Sequence, residues 1–274
     1  MLRSLTSGIS AMQQFQQQLD VIGNNIAHVN TTGFKTSSVD FADAFSQTVG
    51  ASGSSGSMQV GTGVMTDSIT NQFSQGTINA TGSSSDLAIS GNGFFLVRDP
   101  ATGNTYATRA GNFQVDTSGY LVTSEGFRVQ GYSDAGLSSI GDIKIDNSGA
   151  PSGSTSAVKS YDFDNKGDLV VTLQDGTNFT RGQLLLQNFT APQMLVKEGD
   201  SLYSGLAGAG PLTQPAAAQT SGLGSIQSGA LESSNVDLTV EISSLITTQR
   251  AYEASAHVIS TSDQILQDLV NIKR

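Results

Sequence analysis

The chain has no cysteine and no tryptophan, five prolines among 274 residues, and only 13% charged side chains. Without cysteine, neither a disulfide framework nor a thiolate metal site can form. Charged residues make up about a quarter of an ordinary globular domain, so their scarcity beside 31 glycines indicates a thin core and many turns. This composition is more typical of an all-β or assembly protein than of an enzyme with a deep pocket.

Long apolar runs are lacking as well. No stretch approaches the roughly 20 consecutive apolar residues of a membrane-spanning helix, and the first eleven residues lack the apolar core of a cleaved secretory signal. The net charge is −10, which argues against a nucleic-acid or anionic-lipid partner because phosphates need a basic footprint. We therefore expect no nucleic-acid binding and no membrane insertion, in a protein that is cytosolic or exported without a cleaved signal.

Motifs for catalysis and for cofactor or metal binding are missing too. His28 and His257 have no second histidine within chelating reach in the sequence, and no hydrolase elbow or phosphate-binding loop occurs. Residues 162–168 resemble the start of a calcium loop, but Lys166 occupies a ligand position and Leu173 stands where glutamate is needed. We expect a hairpin turn there, no cofactor, no metal and no enzyme activity.

What the sequence does contain is a heptad pattern at each end. The N-terminal seam has apolar residues seven apart, completed by two residues three positions later, and consists of Leu5, Met12, Phe15, Leu19, Ile22 and Ile26. This spacing predicts a helix with a coiled-coil seam. The helix is expected to end at residues 30–33, where Gly33 can adopt the left-handed conformation.

The C-terminal pattern has two heptad series and predicts a helix over residues 236–272, behind a capping box at residues 234–237. The first series consists of Leu238, Leu245, Tyr252, Ile259 and Leu266, joined by Ile242, Ala256 and Val270. The second series consists of Ala251, Val258, Ile265 and Ile272. Such helices are marginal in water until their apolar faces are buried. One series can pair with the N-terminal helix and the other with neighbouring copies. The alternative is a closed helical hairpin packed on its own β domain.

The middle of the chain has a β pattern of short alternating runs separated by turn residues. Three segments share an apolar pair followed by Asp-x-x-Gly, at residues 113–119, 143–149 and 161–167, and predict three hairpins because Asp starts and Gly ends a tight turn. The Gly/Ser run at residues 52–57 predicts a flexible linker.

The expected fold is therefore α+β, with paired N- and C-terminal coiled-coil helices, a mainly antiparallel β domain and a small inserted outer β domain. The expected division is an N-terminal helix at 1–35, a linker or extended segment at 36–75, the β domain at 76–132 and 182–228, the inserted domain at 133–181, and a C-terminal helix at 229–274.

Several motifs resemble those of one family. Residues 19–35 (LDVIGNNIAHVNTTGFK) resemble the N-terminal signature of bacterial flagellar rod and hook proteins, and residues 228–238 (SGALESSNVDL) and 248–253 (TQRAYE) resemble the C-terminal signature. Residues 86–95 (DLAISGNGFF) fit the same family. The signature positions are Asn24, Asn25, Asn30, Thr31, Gly33, Phe34, Lys35, Ser234, Asn235, Val236, Asp237, Gln249, Arg250 and Tyr252.

The resemblance implies an axial structural protein whose terminal helices pair and line the inside of a tube, while β domains form the outer shell. It implies a homo-polymer that is exported through the flagellar type III apparatus and is extracellular after export. The partners implied for a hook subunit are the distal rod and hook–filament junction proteins, the hook cap and the export apparatus. The residues expected to carry self-assembly are those of the two terminal heptad patterns.

Two members of the family fit the sequence. Residues 40–45 and 225–231 resemble the hook protein, a flexible joint that transmits torque and leaves a central export channel, whereas the chain length suits the distal rod protein, a straight drive shaft. A rod is expected to carry an ordering insertion at residues 46–61, and the glycine-rich sequence there favours the hook. A secreted β-domain binding module with a helical dimerisation clasp is a remote alternative, because 7% aromatic residues give a binding site little support.

Overall fold

The computed structural model describes residues 2–52, 56–151, 156–211 and 214–272. The chain divides into two compact units. The helical unit comprises Met1–Val29, Thr36–Gln72 and Val236–Arg274, and the sheet unit comprises Asn30–Lys35 and Phe73–Asn235. Within the described ranges, no helix is long and apolar enough to cross a membrane.

The helical unit contains both long helices and four strands. Its elements are α1 (Leu2–Ala27), β1 (Ser37–Asp43), β2 (Ser46–Ser52), β3 (Gly56–Gly61), β4 (Val64–Asn71) and α2 (Leu238–Ile272). The two terminal helices are confirmed. α2 starts two residues later than predicted: the Asp237 carboxylate accepts hydrogen bonds from the backbone N–H groups of Thr239 and Val240, at 2.8 and 3.3 Å. The helix is therefore capped by Asp237, and the expected capping box beginning at Ser234 is wrong.

Residues 37–71 form a paired ribbon, and the expectation of a flexible linker is wrong for its described part. β1 pairs with β4, and β2 pairs with β3, both antiparallel; Gly53, Ser54 and Ser55 lie outside the described residues. The ribbon packs on α1, where the Thr66 hydroxyl hydrogen-bonds Gln17 at 2.7 Å and also contacts Gln14. Cross-strand pairing satisfies the backbone of a segment whose composition alone suggested disorder.

The sheet unit holds the remaining strands, all in antiparallel pairs where the structure describes them. They are β5 (Ile78–Ala80), β6 (Leu87–Ser90), β7 (Phe94–Arg98), β8 (Thr105–Thr108), β9 (Gln114–Val115), β10 (Leu121–Val122), β11 (Arg128–Tyr132), β12 (Ile140–Asp142), β13 (Val158–Phe163), β14 (Asp168–Leu173), β15 (Asn178–Gln187), β16 (Val196–Gly199), β17 (Leu202–Ser204), β18 (Ala216–Ala217), β19 (Ser225–Ser228) and β20 (Ala230–Glu232). A 3-10 turn at Pro192–Met194 precedes β16.

A single twelve-stranded sheet dominates this unit, with the path β13-β14-β15-β11-β7-β8-β17-β16 and four further strands attached to it. Residues 133–181 were expected to form a separate outer domain. In their described part, Ile143, Phe163 and Leu169 lie in the same core cluster as Leu87 and Phe95, and their strands continue the same sheet. The structure therefore does not separate this segment from the rest of the sheet unit.

The three Asp-x-x-Gly segments do not all form hairpins. The first and third do: Gly119 and Gly167, both at positive φ, donate from N–H to the carbonyls of Asp116 and Asp164, at 2.8 and 2.7 Å. The third is also the hairpin turn expected in place of a calcium loop. The second segment makes a turn, in which the Asp146 carboxylate accepts from the Ser148 N–H at 3.0 Å, but no hairpin within the described residues, since its residues 143–145 pair with residues 119–121.

Candidate assembly surface

The two terminal helices pack against each other in antiparallel directions. Near the end of α1, the Asn25 amide lies 3.1 Å from Glu241 in the first turn of α2. Near the start of α1, a Cβ added at Gly8 would lie 3.2 Å from Ile259 Cγ1 and 3.6 Å from the Ser255 carbonyl oxygen, far along α2. The helices therefore approach closely where one of them carries no side chain.

The face of α2 that is covered in the helical unit includes small hydroxyl residues beside the predicted apolar ones, which the sequence analysis missed. Thr248 and Ser262 are buried and Ser255 is half-buried, at intervals of seven residues. Each hydroxyl donates to the backbone carbonyl four residues earlier, at 2.7 to 2.9 Å. Because these hydroxyls are satisfied within the helix, they can be buried without a partner on α1.

The predicted apolar seams are only partly covered. Ile22 is buried, and Leu5, Met12, Phe15, Leu19, Ile26, Leu245, Tyr252, Ile259 and Leu266 are half-buried. Leu238, Ile242, Val258 and Ile265 are exposed, each by 44 to 49% of the side-chain surface, together with Ile246 (49%), Val270 (65%) and Ile272 (81%). The structure thus buries or half-buries ten of the fourteen residues predicted for self-assembly and leaves the other four, Leu238, Ile242, Val258 and Ile265, exposed.

The uncovered residues lie on two sides of α2. Successive helical residues are rotated by about 100°, so Leu238, Ile242 and Ile246 form one line near the N-terminal end of the helix. Val258, Ile265 and Ile272 form another line on the other side of the buried hydroxyl face, near the C-terminal end. We name these the first stripe and the second stripe. The second stripe contains three members of the second heptad series, whereas the first stripe combines Leu238 and Ile242 of the first series with Ile246.

Asn25 is the signature residue with the clearest structural role. Its side chain, 2% exposed, donates to the Ser37 carbonyl at 2.9 Å and accepts from the Ser37 N–H at 3.1 Å, in addition to its contact with Glu241. It therefore joins α1, β1 and α2. Burial raises the pKa of the Glu241 carboxyl, and the hydrogen bond from Asn25 opposes that shift. The neighbouring Asn24, and Gln249 and Arg250 on α2, are exposed.

The rest of the signature is divided between the units, a division that sequence spacing did not reveal. Val236 and Asp237 belong to the helical unit with Tyr252, whereas residues 30–35 and 234–235 belong to the sheet unit. Gly33 has a positive φ of 67°, as expected, but it lies six residues beyond the end of α1. A Cβ at this position would lie 2.5 Å from the backbone N of Ala110. Glycine is therefore required by close packing inside the sheet unit.

Lys35 is fully buried in the sheet unit and forms an ion pair with the equally buried Glu232, with Nζ 2.6 Å from Oε1. Arg109, 4% exposed, places Nη1 3.2 Å from the other carboxylate oxygen. Burial lowers the pKa of both Lys35 and Arg109, and the charge of Glu232 opposes each shift. The sequence marked Lys35 as a signature position but gave no sign of its ionic partners.

The described residues contain no group of three or more His, Asp or Glu side chains placed to hold a metal ion. His28 is half-buried in the turn that follows α1, and His257 is exposed on α2. The features that distinguish the molecule are thus an incompletely covered helical pair and a charged cluster inside a β unit.

Three family models match the chain. A flagellar basal-body rod protein model matches residues 5–35, the D1-domain model of flagellar hook protein FlgE/F/G matches residues 88–171, and the C-terminal model of flagellar basal-body rod proteins FlgEFG matches residues 227–272. The first and last cover the two helical signatures. The D1 model includes part of the segment that had been expected to form a separate inserted domain.

The chain is also similar to complete flagellar proteins. It is 41% identical to the flagellar basal-body rod protein FlgG of Bacillus subtilis, with 100% of each chain covered, and 38% identical to FlgG of Caulobacter vibrioides, with 97% of this chain and 96% of the relative covered. It is 26% identical to the flagellar hook protein FlgE of Borreliella burgdorferi, with both chains fully covered. The chain therefore belongs to the family of flagellar rod and hook proteins, and it is a non-enzymatic structural protein of the bacterial flagellum that forms a homo-polymer.

Proposed function

We propose that this chain is the subunit of a distal rod, a straight tube that transmits torque and leaves a central export channel. The observation that carries the proposal is the pair of exposed apolar stripes on α2. Burying them against neighbouring copies stabilises the assembly by about 25 cal/mol for each Å² of apolar surface removed from water. In a single copy these stripes remain in contact with water, so this stabilisation is gained only on assembly.

The positions of the stripes fit a tube. A helical polymer grows through heterologous contacts, in which each copy uses two different surfaces to meet different neighbours. The first and second stripes lie on opposite sides of the face that α1 covers, and near opposite ends of α2. In this proposal the heptad seams, left incomplete by the small hydroxyl face, are completed by helices of adjacent copies in a coiled-coil arrangement.

The rod is preferred over the hook, the reverse of the preference given by the sequence alone. Rod relatives match at higher identity and over nearly the same length, and the segment at residues 46–61 pairs as β2 and β3 where a flexible linker was expected. An ordered ribbon packed on α1 would stiffen each subunit. A hook subunit remains the second candidate, supported by full-length similarity to a hook protein.

The sheet unit would form the outer shell around the helices, with its hydrophobic core closed within each copy. For a rod subunit, the adjoining partners would be other axial proteins of the basal body and the hook, and the export apparatus would deliver the unfolded chain. The hook cap and the hook–filament junction protein, implied for a hook, would be partners only in that second candidate.

Negative-stain microscopy of the concentrated full-length protein tests the proposal. Ile242→Asp and Ile265→Asp each place a charge in one stripe, while Gln264→Asp changes an exposed neighbour outside both stripes. We expect tubes from the wild type and from Gln264→Asp, and monomers from both stripe variants. These substitutions leave Glu232 in place, unlike a deletion of the C-terminal signature, so the sheet unit stays intact.

Straight tubes support the rod, and curved tubes would favour the hook. Discrete dimers from the wild type, or tubes from both stripe variants, would rule out the polymer surface proposed for α2. Sedimentation velocity of the same samples separates monomers from short oligomers that microscopy does not resolve.

A further inference from the structure

The chain passes between its two units four times, after Val29, Lys35, Gln72 and Asn235. These crossings leave three segments of the sheet unit next to its exits, at residues 30–35, 73–77 and 232–235. Any force carried along the backbone between the units enters the sheet unit through these three segments. The contacts among the segments therefore determine whether each one bears its load alone.

Glu232 connects all three exit segments. Its backbone carbonyl accepts from the Gly33 N–H at 2.8 Å, and its Oε1 accepts from Lys35 Nζ at 2.6 Å and from the Gly76 N–H at 2.9 Å. Lys35 Nζ also donates to the Ser74 carbonyl at 2.7 Å. One buried carboxylate thus joins the N-terminal segment, the segment after the ribbon and the segment before α2.

Neighbouring contacts reinforce the same junction. Asn235 donates from its side chain to the Ser74 hydroxyl at 2.8 Å and from its backbone to the Phe34 carbonyl at 3.4 Å, and Ser233 donates to the Thr77 carbonyl at 2.8 Å. A Cβ at Gly76 would lie 2.0 Å from the Ser233 carbonyl oxygen, so only glycine permits this approach of the two segments.

The charges in the cluster are unbalanced. Two cations, Lys35 and Arg109, share the single carboxylate of Glu232, and Arg109 Nε has no hydrogen-bond partner among the described residues. Well-packed apolar residues are often at least as stabilising as a buried ion pair of this kind. The ionic cluster instead fixes the relative positions of the three exit segments, because charge-assisted hydrogen bonds are short and geometrically specific.

We propose that the Glu232 cluster is a clamp that makes the three exit segments share mechanical load, which would keep an assembled tube straight. The clamp, defined as Lys35, Arg109, Glu232 and the Gly33 and Gly76 amides, acts as a positioning element and touches no partner. This inference deepens the proposed function and rests on it for the presence of load. It does not depend on which stripe meets which neighbour.

Glu232→Gln tests the clamp because it keeps the shape of the side chain and removes the charge that holds both cations. The matched control is Asp142→Asn in the same unit, since Asp142 also bridges two cations, Arg98 at 2.8 Å and Arg128 at 3.0 Å, but lies away from the exits. Amide hydrogen exchange is measured on dilute monomers, and the persistence length of tubes is measured by microscopy.

We expect Glu232→Gln to speed exchange at Gly33, Gly76 and Ser233 by about tenfold or more through local opening, under conditions in which core amides such as Leu186 are still protected. We expect its tubes to bend more than wild-type tubes, and those of Asp142→Asn to remain straight. Equal bending in both variants, or straight Glu232→Gln tubes despite faster exchange, would overturn the clamp.

If Glu232→Gln fails to fold, Lys35→Met serves as the second variant, because it leaves a neutral Arg109–Glu232 pair. Faster exchange at Gly76 and more flexible tubes are again expected, and their absence overturns the proposal. Failure of the wild type to form tubes counts against the proposed function alone. Unchanged exchange at the exit segments in both clamp variants counts against the clamp alone.

Discussion

The two units of this molecule differ in the burial of their apolar side chains. Among the described residues, every buried hydrophobic side chain except Ile22 lies in the sheet unit. Apart from Val115, Leu137, Ile140, Met194 and Val196, every exposed large hydrophobic side chain lies in the helical unit. The sheet unit therefore closes its core within one copy, whereas the helical unit leaves apolar surface exposed, which we propose is buried by other copies.

The largest expected effect is in the clamp of the sheet unit. Glu232→Gln leaves two buried cations without an anion, and we expect it to lower the free energy of unfolding by about 3–5 kcal/mol. Lys35→Met should cost less, because it leaves one cation paired with one carboxylate. Urea unfolding of the dilute monomer compares the two variants. A larger loss for Lys35→Met would show that charge balance does not govern this cluster.

The comparison between the units is tested most directly by one truncation in each. Leu186→Ala opens a cavity at a fully buried position of the sheet unit and should lower stability by about 2–5 kcal/mol. Ile265→Ala removes a side chain that is 49% exposed, so monomer stability should change by no more than about 0.5 kcal/mol. Urea unfolding and a sedimentation assay of assembly measure both effects. The contrast fails if Ile265→Ala unfolds the monomer or leaves the critical concentration for assembly unchanged.

A smaller effect is expected at the close approach of the helices. Gly8→Leu introduces a side chain whose Cβ would lie 3.2 Å from Ile259, and overpacking of this kind costs about 1–3 kcal/mol. Gly23→Leu is the matched control, because a Cβ at Gly23 meets no atom within 4 Å. Circular dichroism of dilute monomers should show lost helix for Gly8→Leu only. Equal helix content in both variants would mean that α1 and α2 do not depend on this contact.

The smallest effect is a pH dependence in the sheet unit. Burial lowers the pKa of Lys197 from 10.5 to about 8, while its Nζ donates to the Lys35 carbonyl at 2.8 Å. Between these two values the unfolded chain holds a proton that the folded chain has released, so this group makes stability rise with pH. Below the folded pKa both states are protonated and the burial cost is complete.

Thermal unfolding of wild type and Lys197→Met over this pH range measures the contribution. The stability of the wild type relative to Lys197→Met should increase as the pH rises from about 8 to 10.5. A difference that stays constant or falls would contradict the pKa shift. The helical unit, which lacks a comparable buried lysine in its described part, should show no matching slope.

The elements that could be predicted from the sequence are those that depend on local patterns. Heptad spacing predicted both helices, and Asp-x-x-Gly predicted the turns at Gly119 and Gly167. The second Asp-x-x-Gly segment makes its turn but no hairpin within the described residues, because its residues 143–145 pair with residues 119–121. The ribbon at residues 37–71 was missed because its order comes from cross-strand partners and α1, which a Gly/Ser composition does not reveal.

The candidate surface was predicted in outline, but the hydroxyl residues within it were missed. The sequence suggested that leucine and isoleucine seams cover the α1–α2 contact. In the structure Leu245, Ile259 and Leu266 are half-buried, and the same side of α2 also carries the hydroxyl residues Thr248, Ser255 and Ser262. Hydroxyls bonded within their own helix lose little on burial, and small side chains let the helices approach. Of the larger apolar residues in the predicted seams, Leu238, Ile242, Val258 and Ile265 are the ones left exposed.

Periodicity and signature motifs by themselves determined that this protein has two terminal helices, a β-rich middle and an assembly role, because these follow from residues close together in sequence. Only the tertiary structure decided which helical face is covered and which partners Lys35 meets. Glu232 lies 197 residues from Lys35, and no local rule connects them. A buried charge needs partners at hydrogen-bond distance, and folding alone brings them there.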